Sequence, residues 1–121
     1  PHEEVEAYYS LVDIAPFPRL PLPVTELVSP LKPFEAMAME KAVIASDVHA
    51  LTEIVQHEHT GLLFEKGNAS SLADALLRFI DDGGLRAECG RTARTWVEEE
   101  RDWSSISQTL DETYRTLLEV P

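Results

Sequence analysis

The sequence predicts an α/β domain built on a three-stranded parallel sheet, with helices on both faces and a helical C-terminal tail. Two observations carry this. Short apolar runs at 11–17, 42–46 and 62–64 alternate with amphipathic segments, the pattern of strands buried in a parallel sheet. From Ser70 onward the apolar period becomes purely helical. A chain of 121 residues, 44% of them hydrophobic, suffices for one such core.

In chain order, Glu3 to Leu11 carries Val5, Tyr8, Tyr9 and Val12 at spacings of three and four, the end of an amphipathic helix. Leu11 to Phe17 reads as a short buried strand that Pro16 and Pro18 terminate. Between Pro16 and Pro33 stand six of the eight prolines, so this stretch is expected to be a loop, each proline lacking an N–H and fixing its own φ. Ser29 as a cap and Pro30 at the first position then open a helix through Met39.

Ala42-Val43-Ile44-Ala45-Ser46 is a wholly apolar strand ending on the polar pair Ser46-Asp47. Thr52 to Val55 is a helical turn. Thr60-Gly61 leads into Leu62-Leu63-Phe64, closed by Lys66-Gly67-Asn68. Leu72, Ala75, Leu76 and Phe79 share one helix face up to the break Asp81-Asp82-Gly83-Gly84. A second helix spans about Leu85 to Glu100. A third runs from Asp102 or Trp103 to near Val120, with Ile106, Leu110, Tyr114 and Leu117 as an apolar stripe. Trp96 and Trp103 read as core.

A formal charge of −12 with no dense Lys/Arg stripe excludes a nucleic-acid backbone as partner. The acidic runs at 81–82 and 98–100 read as solvated helix faces. No run reaches the roughly eighteen apolar residues of a membrane span. The lone Cys89 has no disulfide or zinc partner, which suits a cytoplasmic setting. His57 and His59 lack a third ligand, so no metal is expected. In a parallel α/β sheet the ligand crevice lies at the carboxyl ends of the strands, which directs attention to the loops after Phe17, Ser46 and Phe64.

Several segments taken together, Glu35-Ala36-Met37-Ala38-Met39, Lys41 to Asp47, Glu53-Ile54-Val55 and Thr60-Gly61-Leu62-Leu63-Phe64, resemble the C-terminal domain of retaining glycosyltransferases of the GT-B fold. That large family includes bacterial capsule, lipopolysaccharide and mannosyl transferases. The likeness runs from about Val12 to Tyr114.

The resemblance implies a partial Rossmann-like domain. Residues 1–121 would be the second half of a nucleotide-sugar-binding domain, with 84–121 as its helical tail, and the N-terminal domain of the same chain would lie elsewhere in a longer polypeptide. It implies transfer of a hexosyl unit from a nucleoside diphosphate sugar to an acceptor hydroxyl, in polysaccharide or glycolipid synthesis. The sugar nucleotide is a substrate, and no cofactor is expected. Partners would be that donor and the N-terminal domain. Peripheral membrane contact through the N-terminal part and self-association through an exposed sheet edge are further expectations. Alternatives are a sugar-nucleotide epimerase or a non-enzymatic nucleotide-binding or interaction module of the same descent.

In the family a first glutamate contacts the donor sugar, and a second, eight positions later, contacts the ribose hydroxyls. Glu35 matches the second, and a carboxylate suits vicinal hydroxyls because each oxygen accepts a charge-assisted hydrogen bond. At the first position stands Leu27; the nearest carboxylate, Glu26, is the candidate sugar contact. Between them Ser29, Pro30, Leu31 and Lys32 replace the family's anion loop and are the candidate diphosphate site, using N–H groups at a helix start. Pro30 gives up one of these donors. Arg19 is a weaker phosphate candidate, and Glu53 is expected to brace the loop after Ser46. The upstream basic residues that the family directs at the phosphates are not in this chain, so the chain by itself is expected to be inactive.

Overall fold

Side chains along the strands point alternately to the two faces of the sheet, and this parity organises the fold. The computed structural model describes residues 1–118. Strands β1 (Ile14–Phe17), β2 (Ala42–Ser46) and β3 (Leu62–Phe64) form one parallel sheet in the order β1-β2-β3, with Ala15 opposite Val43 and Ala45 opposite Leu63. Ala15, Phe17, Val43, Ala45 and Leu63 point to one face. Ile14, Ala42, Ile44, Leu62 and Phe64 point to the other. β2 is buried at all five positions, as a central parallel strand covered on both sides must be.

Helices cover both faces. A 3-10 turn (His2–Glu4) and α1 (Val5–Tyr9) precede β1. On the first face lie α3 (Lys32–Ala38), through Ala36 and Met37, and the short α4 (His49–Thr52), through Leu51. On the second lies α5 (Ala69–Asp81), through Ala75 and Phe79. The long α6 (Gly83–Glu100) serves both: Leu85 and Cys89 join the second cluster, and Ala93, Trp96 and Val97 join the first. Its crossing point is Gly90, where an added Cβ would lie 2.7 Å from the carbonyl oxygen of Glu40, just before β2. Burial raises the Cys89 thiol above its ordinary pKa, with Glu88 adding to the effect, so this side chain is core packing and a poor nucleophile.

Several elements differ from expectation. The proline-rich stretch contains a helix, α2 (Pro23–Leu27), because Pro23 occupies the first position, where a missing N–H costs nothing. The Thr25 hydroxyl closes that turn, accepting from the Leu22 N–H at 3.0 Å. α3 begins at Lys32 and not behind a Ser29 cap, and Leu31 at its cap makes no side-chain bond. A start at Pro30 would place Pro33 in the second half of the first turn, where its ring meets the preceding carbonyl. Starting at Lys32 moves Pro33 to the tolerant second position.

The break before α6 is Asp82 alone, whose Oδ1 accepts from the Leu85 N–H at 2.8 Å. A cap of this kind, worth about 1 kcal/mol, offsets the poor propensity of Gly83 and Gly84. α4 lies three residues earlier than the expected turn, since the Val48 carbonyl accepts from both Leu51 and Thr52 N–H. α7 (Trp103–Leu118) forms where expected, its predicted end at Val120 lying outside the described residues. No described helix is long and apolar enough to cross a membrane.

α3 ends on Glu40 in the left-handed region, φ 58°, with the Lys41 N–H returning to the Ala36 carbonyl at 2.9 Å. A side chain there costs about 1 kcal/mol. Glu40 has only a 4.0 Å ion pair with Arg94 to set against that cost. Glu40→Gly is therefore expected to raise stability by roughly 0.5–1 kcal/mol, read as a higher urea midpoint at unchanged slope.

Candidate functional site

The candidate site forms where the carboxyl end of β1 hands the chain to α2 and then to the head of α3. Pro30 and Pro33 have no N–H to give, so the donors nearest the helix start are Leu31 and Lys32. Neither N–H has an acceptor among the described residues. Lys32 is exposed and forms no ion pair among them. Glu35, one turn on, is also exposed, while Pro33, Ala36 and Met37 beneath it are buried and hold the helix to the sheet. The head of α3 thus presents two free amides, a cation and a carboxylate on its solvent side. Ser29 is exposed and Pro30 half-buried in the preceding turn.

Glu35 also borders a crevice of about 230 Å³ formed with Leu31, Phe34, Arg101, Trp103 and Ile106. Trp96 supports its floor: the ring stacks on Phe34, centroids 6.1 Å apart, and carries the Arg101 guanidinium 4.9 Å above it. Trp103, expected in the core, is instead 73% exposed. The helical stripe is real, yet Ile106, Leu110, Tyr114 and Leu117 are exposed with it, because no described element packs on that face of α7. Tyr9 is raised above its ordinary pKa by burial and, second, by the Glu35 carboxylate.

Glu26 is engaged at both oxygens. One accepts from the His49 N–H at 2.7 Å and the other from Lys66 Nζ at 2.5 Å. The hydrogen bond from Lys66, with that from the His49 backbone second, holds its carboxyl below the ordinary value of 4.5. In this arrangement the sequence's candidate for a sugar contact ties α2 to the loops after β2 and β3. Arg19 is similarly occupied: its N–H donates to Ser46 Oγ at 3.0 Å and its guanidinium to the Val28 carbonyl at 2.7 Å. Glu53 pairs with His49 Nε2 at 3.3 Å. His57 accepts from the Leu63 N–H through Nδ1, and no cluster of three His, Cys, Asp or Glu side chains among the described residues could hold a metal ion.

Sequence reasoning misses Lys66 and His49, which stand 40 and 23 residues from Glu26. Nothing in local spacing points to them. Tyr9 stands out in the sequence only for its place on an apolar stripe.

Known proteins place this architecture. A family model described as Glycosyl transferases group 1 matches residues 1–82. The capsular polysaccharide biosynthesis glycosyltransferase CapM of Staphylococcus aureus is 32% identical over 84 residues, 69% of this chain and 22% of that protein. A phosphatidyl-myo-inositol mannosyltransferase of Mycolicibacterium smegmatis is 36% identical over 84 residues, 69% of this chain and 21% of its own length. The chain therefore spans about a fifth of the curated relatives it matches.

Among solved structures, a sucrose-phosphate synthase from Thermosynechococcus elongatus superposes with a TM-score of 0.85 at 32% identity, covering 99% of this chain and 29% of that one. The C-terminal domain of a group 1 glycosyl transferase from Francisella tularensis gives 0.72 at 26%, covering 85% of this chain and 50% of that one. Anabaena HepE, solved with UDP and glucose, gives 0.79 at 24%, covering 90% and 29%, a likeness of fold alone. A parallel α/β sheet of GT-B type and a family match across most of its length place this chain among the group 1 glycosyltransferases.

Proposed function

We propose that this chain is the second half of the donor-binding domain of a GT-B glycosyltransferase. The whole protein would move a hexosyl unit from a nucleoside diphosphate sugar to an acceptor hydroxyl, in polysaccharide or glycolipid synthesis in the cytoplasm. The observation that carries this reading is the head of α3, where the free N–H groups of Leu31 and Lys32 and the exposed Glu35 stand one turn apart at the carboxyl end of β1.

In this reading Ser29, Leu31 and Lys32 hold the diphosphate, and Pro30 stiffens the loop without donating. Orphan amides favour an anion, and as the leaving diphosphate gains charge they stabilise it without any proton transfer. Glu35 accepts from the ribose hydroxyls. The acceptor site and the upstream basic residues belong to the N-terminal part.

The test is calorimetric titration of the full-length protein with UDP and GDP, followed by product analysis with a labelled donor. One nucleotide is expected to bind, and transfer to an acceptor is expected to need the full-length protein. Binding of neither nucleotide would overturn the reading in favour of an interaction module. Epimerised donor without transfer would replace the transferase by an epimerase.

A further inference from the structure

The strongest feature outside the proposed ligand contacts is the bonding around Glu26. α2 has five residues and buries none of them, so its own apolar contacts are too few to fix it. It is held by polar bonds to loops distant in sequence. Glu26 reaches the His49 N–H at the start of α4 and Lys66 Nζ after β3. Lys66 is anchored in turn, its backbone N–H donating to Asp47 Oδ1 at 2.7 Å. The Asp47 N–H donates to the Phe64 carbonyl at 2.9 Å. On the other side of α2, Arg19 joins Ser46 Oγ to the Val28 carbonyl. Three loops at the carboxyl ends of all three strands therefore meet on one carboxylate and its lysine.

We infer that Glu26 and Lys66 form a positioning pair that sets the place of the Leu31 and Lys32 amides, and that neither touches the donor sugar. The inference rests on the assignment of the α3 head as the diphosphate site. Only residues 27–30 separate Glu26 from Leu31, and Pro30 stiffens the last of them. A shift of α2 is therefore carried to the amides with little slack. Both side chains of the pair keep partial access to water, 36% for Lys66 and 25% for Glu26. The pair consequently avoids the heavy desolvation cost of a buried one. It acts in geometry more than in stability.

The experiment uses the full-length protein, with UDP, GDP and their glucose and mannose conjugates as probes. Glu26→Gln keeps an acceptor for the His49 N–H and loses the ion pair; Lys66→Met removes the other partner. Each is expected to weaken the free nucleoside diphosphate about tenfold, since small misplacements of binding groups are costly. The double variant is expected to be no weaker than either single one, because one interaction is lost only once. Lys66→Arg, which keeps the charge, is expected to bind close to wild type, and melting temperatures across the set are expected to stay within a few degrees.

Additive losses, or a loss confined to the sugar conjugates with free diphosphate unaffected, would overturn the pair's positioning role. So would unchanged binding in both single variants. If the wild-type protein binds neither nucleotide, the assignment of the α3 head fails instead, and the two failures are told apart.

Discussion

Gly61→Ala is expected to lower the stability of this protein by about 3 kcal/mol or more, because an added methyl group there has no room. An added Cβ at Gly61 would lie 2.5 Å from the Val43 carbonyl oxygen and 2.9 Å from Val55 Cγ1. Neither neighbour can yield. Val43 lies within the central strand and, like Val55, is fully buried, so relief requires β3 to move away from β2 and lose its ladder. Against a total stability of roughly 5–15 kcal/mol, this is a large fraction. At about 3–5 °C per kcal/mol for a domain of this size, the melting temperature is expected to fall by roughly 10–15 °C. Gly83→Ala is the control. Its Cβ would find no atom nearer than 3.6 Å, in an exposed first turn of α6, and it is expected to be neutral or slightly stabilising. Similar melting temperatures for the two variants would show that close approach at Gly61 does not govern the sheet.

Glu35→Ala, in the full-length protein, is expected to weaken UDP or GDP by about 10- to 100-fold, from the loss of charge-assisted bonds worth roughly 1.5–3 kcal/mol. Inorganic pyrophosphate is expected to bind as before, because the amides of Leu31 and Lys32 are untouched. Glu35→Gln, which keeps one carbonyl acceptor, should fall between. The fold is not expected to suffer: Glu35 is exposed, and the residues anchoring α3 are Pro33, Ala36 and Met37. Equal losses for the nucleotide and for pyrophosphate would sink the ribose assignment, since they would mean that Glu35 acts on the helix start and not on the nucleoside.

Elements that depend on a local apolar run are legible in the sequence. β2 and β3 appear at the residues expected, and α5 and α6 within two residues of their expected starts, because strand and helix periods are properties of a few neighbouring side chains. β1 is shorter than the apolar run that marks it, beginning at Ile14 where its pairing with Ala42 begins. The helix inside the proline-rich stretch is hidden because six prolines count against a helix when summed, although one at a first position does not.

Among the candidate site residues, Glu35 is singled out by its neighbourhood in the sequence, although the α3 head that carries it starts two residues later than expected, at Lys32. The partners of Glu26 are not recognisable. A carboxylate at a given position advertises its chemistry but not what folds against it.

Taken alone, then, the sequence determined the parallel α/β class, the positions of β2 and β3, the net acidity of the chain, and the family to which the chain belongs. These follow from short-range pattern and composition, which survive without coordinates. The tertiary structure decided where α3 starts, which side of Gly61 meets the Val43 carbonyl, that Trp103 and the α7 stripe face outward, and that Glu26 is bound by Lys66 from 40 residues away. Each of those depends on which distant surfaces the sheet brings together, and a helix face or a carboxylate is the same in sequence whether or not something packs on it.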